Sequence, residues 1–365
     1  MHILRIDIAG LRRFDRVSLA AGPGLNLLTG PNGAGKTSVL EALHLMAYGR
    51  SFRGRVRDGL VRQGAAAVEV FVEWREASGR VHRAGLRHSG QAWEGRLDGA
   101  AVDHLGELCA AFAVVSFEPG SHVLITGGSE GRRRLLDWGL FHVEPDFLPL
   151  WRRYARALKQ RNALLKIQAA ARELDAWDRE LVEAGEPITR HRRDYLDLWV
   201  PRFQAAAAGL LPAGGPATLG FLPGWREELP LADALLLARD RDRTMGHTSV
   251  GPHRADWRVD YRDFPGREAL SRGQAKLTAL ALLLSQAEQH AALRGDWPVV
   301  ALDDLASELD RPHQQRVLEW LHASGAQVFL TGTEPPPALA QMPVPPPVKR
   351  FHVEQGQLSP ETPGA

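Results

Sequence analysis

A glycine-rich segment that ends in a lysine and a hydroxyl residue constrains the fold of this chain more than any other feature. Residues 30–37 read Gly-Pro-Asn-Gly-Ala-Gly-Lys-Thr, which fits the pattern of a phosphate-binding loop. The apolar run at residues 25–29 predicts a buried strand before the loop, and residues 38–46 have helical spacing after it. Because strand, loop and helix follow in the order that phosphate binding requires, an ordinary glycine-rich turn is the weaker interpretation.

Each residue type in this loop has a chemical purpose. Its three glycines let backbone N–H groups approach phosphate oxygens closely, and the positive end of a helix dipole lies behind them. The lysine is expected to reach the β and γ phosphates, and the threonine hydroxyl to ligate Mg²⁺. The predicted phosphate-binding residues are Gly30, Pro31, Asn32, Gly33, Ala34, Gly35, Lys36 and Thr37.

Composition limits the class of protein. The chain has 365 residues, enough for one large domain or two ordinary ones, and its 44% hydrophobic and 24% charged residues are typical of globular proteins. The formal net charge is only +2, so only local patches could indicate a nucleic-acid partner. One cysteine, Cys109, excludes an intramolecular disulfide. No secretory signal pattern or membrane-spanning apolar run is present, so we expect a soluble, cytoplasmic protein with no membrane partner.

The hydrophobic patterns predict a core interrupted by helices. Alternating residues predict strands at 4–8, 68–74 and 80–86, with a hairpin turn at Asp98-Gly99, and these indicate an antiparallel sheet beside the nucleotide core. After Gly127-Gly128 the pattern becomes helical, and one face carries Phe147, Trp151, Tyr154, Leu158 and Leu165, with Arg161 and other cations mostly off it. A second seam carries Leu174, Trp177, Leu181, Ala184, Ile188, His191, Tyr195 and Leu198.

These two seams predict a pair of long antiparallel helices, with a kink at Pro187 in the second. Either a projecting arm or a helical subdomain packed on the core fits the pattern equally well. In both cases the aromatic residues of the seams are expected to pack against neighbouring helices instead of stacking on bases.

Two further segments of the chain point to phosphate chemistry. Residues 298–302 predict a buried strand that ends at Asp303 and Asp304, and ligands of open α/β sheets bind at this edge. We expect Asp303 to support Mg²⁺ beside Thr37, and Asp304 to polarise the attacking water. Ser271 is a good N-cap for a strong helix over residues 275–290, and a helix N-terminus favours anions. The 14 histidines show no spacing typical of a metal site.

The order of phosphate loop, helical insertion, capped helix and acidic strand is that of ATP-binding-cassette (ABC) heads. Along nearly its whole length the sequence resembles the RecF family of bacterial DNA replication and repair proteins. The stretches that carry the resemblance are 30–43, Arg132–Trp138, Phe141-His142, Leu158–Asn162, Gly251–Asp256, 270–274 and Asp303–Asp310. It implies an α/β fold, an ABC-type ATPase head with a mixed sheet related to the SMC class and carrying an inserted, mainly helical subdomain. The head segments would be 1–126 and 241–365, and the insertion 127–240.

The resemblance also implies an activity and partners. ATP, with Mg²⁺, would drive homodimerisation on single-stranded and duplex DNA at gaps, and slow, weak, DNA-stimulated hydrolysis would reset the dimer. RecR and RecO would be partners in loading the RecA recombinase. Lys36 and Asp304 would be catalytic, Thr37 and Asp303 would hold the metal, and Arg12 would lie near the phosphates. A second subunit would contribute the signature Ser271, Arg272, Gly273 and Gln274, and a dimer-interface loop would consist of Ser307, Glu308, Leu309 and Asp310.

Some positions depart from the ABC pattern. Thr331-Gly332-Thr333 stands where many ABC proteins have a switch histidine, and the flanks of Gln63 match a lid glutamine only loosely. The basic run Arg132–Arg134 either contacts a partner or begins a helix with ion pairs to Glu130 or Asp137. Two other functions remain open, a transporter ATPase subunit and an ATP-binding scaffold without hydrolysis. The basic helical insertion argues against the first, and the set of Thr37, Asp303 and Asp304 argues against the second.

Overall fold

The computed structural model of this chain describes residues 1–54, 59–264, 266–343 and 346–361. The chain forms two compact units. Unit 1 consists of Met1–Ser121 and His290–Ala365, and unit 2 consists of His122–Gln289. The first unit therefore contains both ends of the chain, and the second is inserted between them.

Strands and helices follow the predicted order. The strands are β1 (His2–Ala9), β2 (Arg16–Ala20), β3 (Leu25–Thr29), β4 (Val68–Arg75), β5 (Val81–His88), β6 (Trp93–Leu97), β7 (Ala100–Ala101), β8 (Val114–Phe117), β9 (Ala217–Leu222), β10 (Asp256–Tyr261), β11 (Val299–Leu302), β12 (Val328–Thr331), β13 (Val348–Glu354) and β14 (Gln357–Glu361). The helices are α1 (Lys36–Tyr48), α2 (Gly106–Ala111), α3 (Val123–Thr126), α4 (Ser129–Val143), α5 (Phe147–Lys166), α6 (Ala171–Leu210), α7 (Leu231–Met245), α8 (Arg272–Arg294), α9 (Leu305–Glu308) and α10 (Arg311–Ser324).

A mixed six-stranded sheet forms the core of unit 1. Its order is β14-β13-β3-β12-β11-β8, and all neighbours pair in parallel except β14, which closes a hairpin on β13. Every residue of β3, β11 and β12 is buried, which explains why their sequences are mainly apolar. The carboxyl ends of β3, β11 and β12 therefore meet at one edge of the sheet, where the phosphate loop and Asp303 follow.

A second, antiparallel sheet in unit 1 confirms the prediction from alternating residues. Its order is β2-β1-β4-β5-β6-β7. Along β4 the burial alternates in register with the sequence, so that Val68, Val70, Val72 and Trp74 face the core. Asp98 and Gly99 both have positive φ angles, 49° and 88°, as the predicted hairpin turn requires.

The predicted helical pair is confirmed in unit 2, as α5 and α6. Helix α6 runs without interruption through Pro187 and Pro201. The predicted seam holds from Leu174 to Tyr195, but Leu198 is 56% exposed while the next residue, Trp199, is fully buried. A 3.6-residue period drifts away from a heptad pattern along a 40-residue helix, so the buried face moves by one position near its end.

A buried charge cluster fixes α5, α6 and α7 to one another. Arg161 was expected mostly off the apolar face, but it has no exposed side-chain surface, and its guanidinium binds Asp178 of α6 at 2.5 Å and Asp242 of α7 at 2.7 Å. Its Nη1 also donates to Thr248 Oγ1 at 3.0 Å. A buried arginine is tolerated only with such partners, so three elements must be in place before this residue can be accommodated.

We expect Arg161→Met to destabilise unit 2 by about 3 kcal/mol or more, because Asp242 would stay buried without its cation. Urea unfolding of the whole chain, followed by tryptophan fluorescence, measures this loss. Arg156→Met is the matched control, since Arg156 lies on the same helix and is exposed. Equal midpoints for the two variants would contradict the structural role of Arg161.

The boundary between the two compact units lies after Gln289, whereas the predicted division lies at residue 241. Residues 241–289 belong to unit 2 because β10 pairs with β9 along its whole length, and Trp199 of α6 donates to Ser285 of α8 at 2.9 Å. The functional division at residues 127 and 241 stays a prediction. None of the helices in the described part of the chain combines the length and apolar character that a bilayer crossing needs.

Candidate functional site

A polar cleft of about 540 Å³ lies in unit 1 where the central strands end. It brings together most of the residues that the sequence analysis selected around the phosphate loop. The described residues that line it are Arg12, Arg13, Asn32, Gly33, Gly35, Lys36, Thr37, Ser38, Arg53, Gly59, Asp303, Asp304 and Thr331. Gly30, Pro31 and Ala34 complete the loop behind this surface.

Glycine is needed at two positions of the loop for different physical reasons. Gly33 lies on the cleft with a φ of 76°, a conformation that lets a backbone N–H turn inward without strain. Gly30 was expected to approach phosphate, but a Cβ at this position would lie 2.0 Å from the carbonyl oxygen of Val353. Gly30 is therefore required by the close packing of β13 behind the loop.

The loop itself holds the side chain of Lys36. Its ammonium donates to the carbonyl oxygens of Gly30 at 2.7 Å and Pro31 at 2.9 Å. Burial lowers the pKa of Lys36, and Asp304 and Asp303 act in the opposite direction. An ammonium has three donors, so this arrangement fixes the charge over the loop and keeps one donor for an incoming phosphate oxygen.

Thr37 and Asp303 form the predicted metal-binding pair. Thr37 Oγ1 donates to Asp303 Oδ1 at 2.9 Å, and Thr331 Oγ1 donates to the same oxygen at 2.6 Å. Burial raises the pKa of Asp303, while the two hydroxyl groups oppose this rise. A hydroxyl and a carboxylate are hard oxygen ligands, and Mg²⁺ in nucleotide sites takes few protein ligands because phosphates and water supply the rest. The pair therefore fits Mg²⁺ bound with a nucleotide.

Asp304 has an unusual backbone conformation for a residue that is not glycine. Its φ of 53° and ψ of 42° place it in the left-handed region, and its N–H donates to Thr331 Oγ1 at 3.0 Å. Such conformations cost free energy and are often found at functional sites. Thr331 thus contacts the carboxylate of Asp303 and the backbone of Asp304, a role that the sequence analysis did not assign to it.

A buried carboxylate positions the arginines of the cleft. Glu41 in α1 has no exposed side-chain surface, and its two oxygens accept hydrogen bonds from Arg12 at 2.8 and 3.1 Å. Arg53 Nη1 lies 3.9 Å from the same carboxylate. The sequence analysis found Arg12 but missed Glu41, Arg13 and Arg53. One feature of the sequence could have identified Glu41, because it is an acidic residue among the buried residues of a largely apolar helix.

Glu118 is a further carboxylate that the sequence analysis missed. It follows β8, whose Phe117 lies opposite Leu302, and the Asp303 N–H donates to the Phe117 carbonyl at 2.8 Å. Burial, reinforced by the negative charge of Asp303, raises the pKa of Glu118 to about 7. Its position depends on the pairing of β8 with β11, which no local sequence pattern reveals.

The predicted signature lies at the N-terminus of α8 in unit 2. Ser271 and Gln274 cap each other: the Ser271 N–H donates to Gln274 Oε1 at 2.8 Å, and the Gln274 N–H donates to Ser271 Oγ at 3.3 Å. This reciprocal pattern is a capping box. It confirms Ser271 as the N-cap, and it leaves Ser271, Arg272 and Gly273 exposed.

The predicted dimer-interface loop is partly used inside unit 1. Asp310 caps α10 by accepting from the His313 N–H at 3.0 Å, and Ser307 Oγ donates to the Asp304 carbonyl at 3.0 Å. Leu309 is buried, whereas Ser307 and Asp310 are exposed. Interface contacts by this loop stay a prediction.

The structure also locates the residues of two less specific predictions. Gln63 is exposed and does not line the cleft among the described residues. Arg132, at 3% exposure, binds Asp256 through two hydrogen bonds, and Arg134 pairs with Glu130. The run Arg132–Arg134 therefore lies near the start of a helix and makes ion pairs. The predicted partner Glu130 is confirmed for Arg134, whereas Asp137 pairs with Arg192 instead.

Comparisons with known proteins identify the family of this chain. The family model described as the RecF/RecN/SMC N terminal domain matches residues 2–342. The DNA replication and repair protein RecF of Stenotrophomonas maltophilia is 66% identical over 363 residues, which cover 98% of this chain and 99% of that protein. RecF of Pseudomonas paraeruginosa is 38% identical over 367 residues, which cover 99% and 98%.

Solved structures agree as well. The structure of the recombination mediator protein RecF-ATP in the RecFOR pathway has a TM-score of 0.88 at 26% identity, covering 99% of this chain and 98% of that chain. An Smc head bound to the C-winged helix domain of ScpA has a TM-score of 0.62 at 16% identity, which shows a common fold. The chain has the fold of an SMC-type ATPase head and belongs to the RecF family of DNA replication and repair proteins.

Proposed function

We propose that this protein is an ATP-switched DNA clamp of recombinational repair and replication in the cytoplasm. ATP with Mg²⁺ binds in the cleft of unit 1, two copies of the chain close on DNA at a gap or a single-/double-strand junction, and slow hydrolysis reopens the dimer. The observation that carries the proposal is the convergence of Lys36, Thr37, Asp303 and Asp304 on one cleft, in a chain related to a solved RecF-ATP structure.

The residues of the cleft divide the chemistry among them. Lys36 binds the β and γ phosphates from its fixed position over the loop, with Arg12 nearby as a second cation. Thr37 and Asp303 would hold Mg²⁺, which would offset the negative charge of the phosphates. Asp304 accepts a hydrogen bond from the attacking water and orients it toward the γ phosphate.

The dimer supplies the second half of each site. Ser271–Gln274 at the N-terminus of α8 is a capped, exposed helix start, which suits contact with the γ phosphate held by another copy. Ser307–Asp310 lies along the same interface. In this state the protein works with RecR and RecO to load the RecA recombinase, as expected for a member of the RecF family.

The two other functions have less support. A scaffold without hydrolysis would not need Asp304 in a costly backbone conformation beside the metal pair. A transporter motor does not agree with the full-length identity to DNA replication and repair proteins.

Trapping the closed dimer tests the proposal. We expect the protein to bind a gapped duplex with ATP and to dissociate as ATP is hydrolysed. Asp304→Asn should keep ATP binding but slow hydrolysis by about tenfold, because the amide cannot accept the proton of the water. The complex should then last longer on DNA, as fluorescence anisotropy of a labelled gap would report.

Asp103→Asn is the matched control, since it makes the same chemical change at an exposed acid of unit 1 that lies outside the cleft and outside the predicted interface loop. Wild-type turnover in Asp304→Asn would remove Asp304 from the mechanism. DNA binding that is equal with and without ATP would exclude the switch.

A further inference from the structure

An exposed row of cations runs along α5 in unit 2. Helix α5 contains six arginines and lysines and no acidic residue. Four of the cations recur at i, i+4, i+7 and i+14, which places them within a sector of about 80° on one helix face. We call these the α5 row: Arg152, Arg156, Lys159 and Lys166, all exposed.

Acidic neighbours do not neutralise this row. Arg153, which lies beside the row, binds Glu180 at 2.7 Å and also pairs with Glu183, both on α6. Among the described residues, Arg152, Arg156 and Lys159 make no ion pair. Because one arginine outside the row occupies the nearest carboxylates of α6, the positive charge of the row faces solvent.

A groove between α5 and α6 extends the basic surface. It has a volume of about 450 Å³, and the residues that line it are Arg153, Arg156, Ala157, Ala176, Trp177, Arg179 and Glu180, the last of which is paired with Arg153. Arg179 belongs to α6 and, like the row, makes no ion pair within the described residues. The two helices therefore present cations on both sides of a shallow groove.

We propose that the α5 row, with Arg179, contacts the phosphate backbone of duplex DNA. This inference rests on the DNA binding of the proposed function and adds a location for it. From Arg152 to Lys166 the row extends over about 21 Å, which corresponds to about six nucleotides of one strand. Long, flexible cationic side chains at this spacing can each reach a phosphate, and phosphate contacts position a protein without reading sequence.

An acidic protein surface is the other class of partner that a cationic row could fit. Stable protein interfaces usually contain a buried apolar centre surrounded by polar groups. Between the cations of the α5 row the exposed residue is Ala163, and one large apolar side chain near this face is exposed, that of Ile167 just after Lys166. A single exposed isoleucine at one end does not make an apolar centre, so this linear array of cations favours the nucleic-acid backbone.

Salt-dependent binding to a duplex of mixed sequence, in the presence of ATP, tests the proposal. The variant Arg152→Gln, Arg156→Gln, Lys159→Gln should bind about 10²–10³-fold more weakly at 0.1 M salt, because three phosphate contacts are lost. For the same reason the slope of log K against log salt should be shallower by about 2.7. ATP binding should not change, because these residues do not line the cleft.

A control variant with the same loss of charge distinguishes an effect of the α5 row on DNA binding from an effect of net charge. The variant Arg16→Gln, Arg226→Gln, Arg294→Gln removes three exposed cations on other elements. We expect it to keep the wild-type slope. Equal losses in both variants would show an effect of net charge alone and would overturn the location.

Lysine acetylation provides a direct readout at single residues. The chain has only five lysines, and two of them, Lys159 and Lys166, lie in the row. Duplex DNA should protect these two from an acetylating reagent, as mass spectrometry measures, while Lys349 of β13 should react equally with and without DNA. Lack of protection, with DNA bound, would overturn the proposal.

The remaining outcomes distinguish a failure of this inference from a failure of the proposed function. If the wild-type protein binds DNA and the triple variant binds equally well, the location is wrong but the clamp stands. If that variant instead loses binding to polyglutamate, the row is a site for acidic proteins and the inference also fails. If the wild-type protein binds no DNA at any salt concentration with ATP, both the clamp and the location are wrong.

Discussion

Lys36→Met is expected to weaken ATP binding by roughly 100-fold and to abolish ATP-dependent dimerisation. The ammonium is held over the loop by the Gly30 and Pro31 carbonyls, so it is in place before a phosphate arrives. Losing one charge-assisted contact in a partly buried site costs about 3 kcal/mol. Methionine keeps most of the side-chain volume, so the change is mainly one of charge. Binding of a fluorescent ATP analogue and light scattering measure the two effects.

Lys349→Met is the matched control for this experiment. Lys349 lies on β13 in the same unit and does not line the cleft, so this variant should bind ATP and dimerise like the wild-type protein. If Lys36→Met still dimerises with ATP, the loop does not act through its lysine, and the account of the cleft given above is wrong.

The phosphate loop and its surroundings could be predicted from sequence because their determinants are local. Glycines with positive φ, a lysine and a threonine follow one another within eight residues, and the strand before them is short and rich in leucine. The capping box at Ser271 is equally local, since its two members lie three residues apart. Short-range patterns of this kind fix the conformation almost independently of the rest of the fold.

The residues that sequence reasoning missed depend on contacts between distant segments. Glu118 reaches the cleft region only because β8 pairs with β11. Thr331 contacts Asp303 only because β12 ends beside β11. Arg161 looked like one more surface cation, and its burial requires Asp178 and Asp242 from two other helices. In each case the missing information is sheet order or helix packing, which periodicity does not contain.

A mixture of two inactive variants is expected to regain about one quarter of wild-type ATPase activity, if each ATP site is shared between two subunits. One variant carries Lys36→Met and the other carries Ser271→Arg. In the shared model, one site of the mixed dimer collects both defects, while the other pairs an intact Lys36 with an intact Ser271. Random mixing makes about half of the dimers mixed, and each has one working site of two.

The structure gives the Ser271→Arg variant a clear physical basis. Ser271 Oγ accepts from the Gln274 N–H at the start of α8, and arginine removes this acceptor while placing a cation at an exposed helix start. Loss of the cap costs about 1 kcal/mol, which a helix packed over its length can tolerate. Since the cleft that contains Lys36 lies in unit 1, this variant should still bind nucleotide, and a binding measurement must establish that first.

The double variant Lys36→Met with Ser271→Arg, mixed with Lys36→Met alone, is the control. Neither a shared nor an unshared model leaves an intact site in that mixture, so any activity there would reveal contamination. If each site belonged to one chain, neither site of the mixed dimer would be intact, and the original mixture would stay inactive. Inactivity despite a demonstrated mixed dimer would therefore mean that the sites are not shared, or that both must act together. Occlusion of a labelled, non-hydrolysable ATP analogue separates these two cases, because a shared but coupled dimer would still occlude one nucleotide at its intact site while an unshared dimer would occlude none.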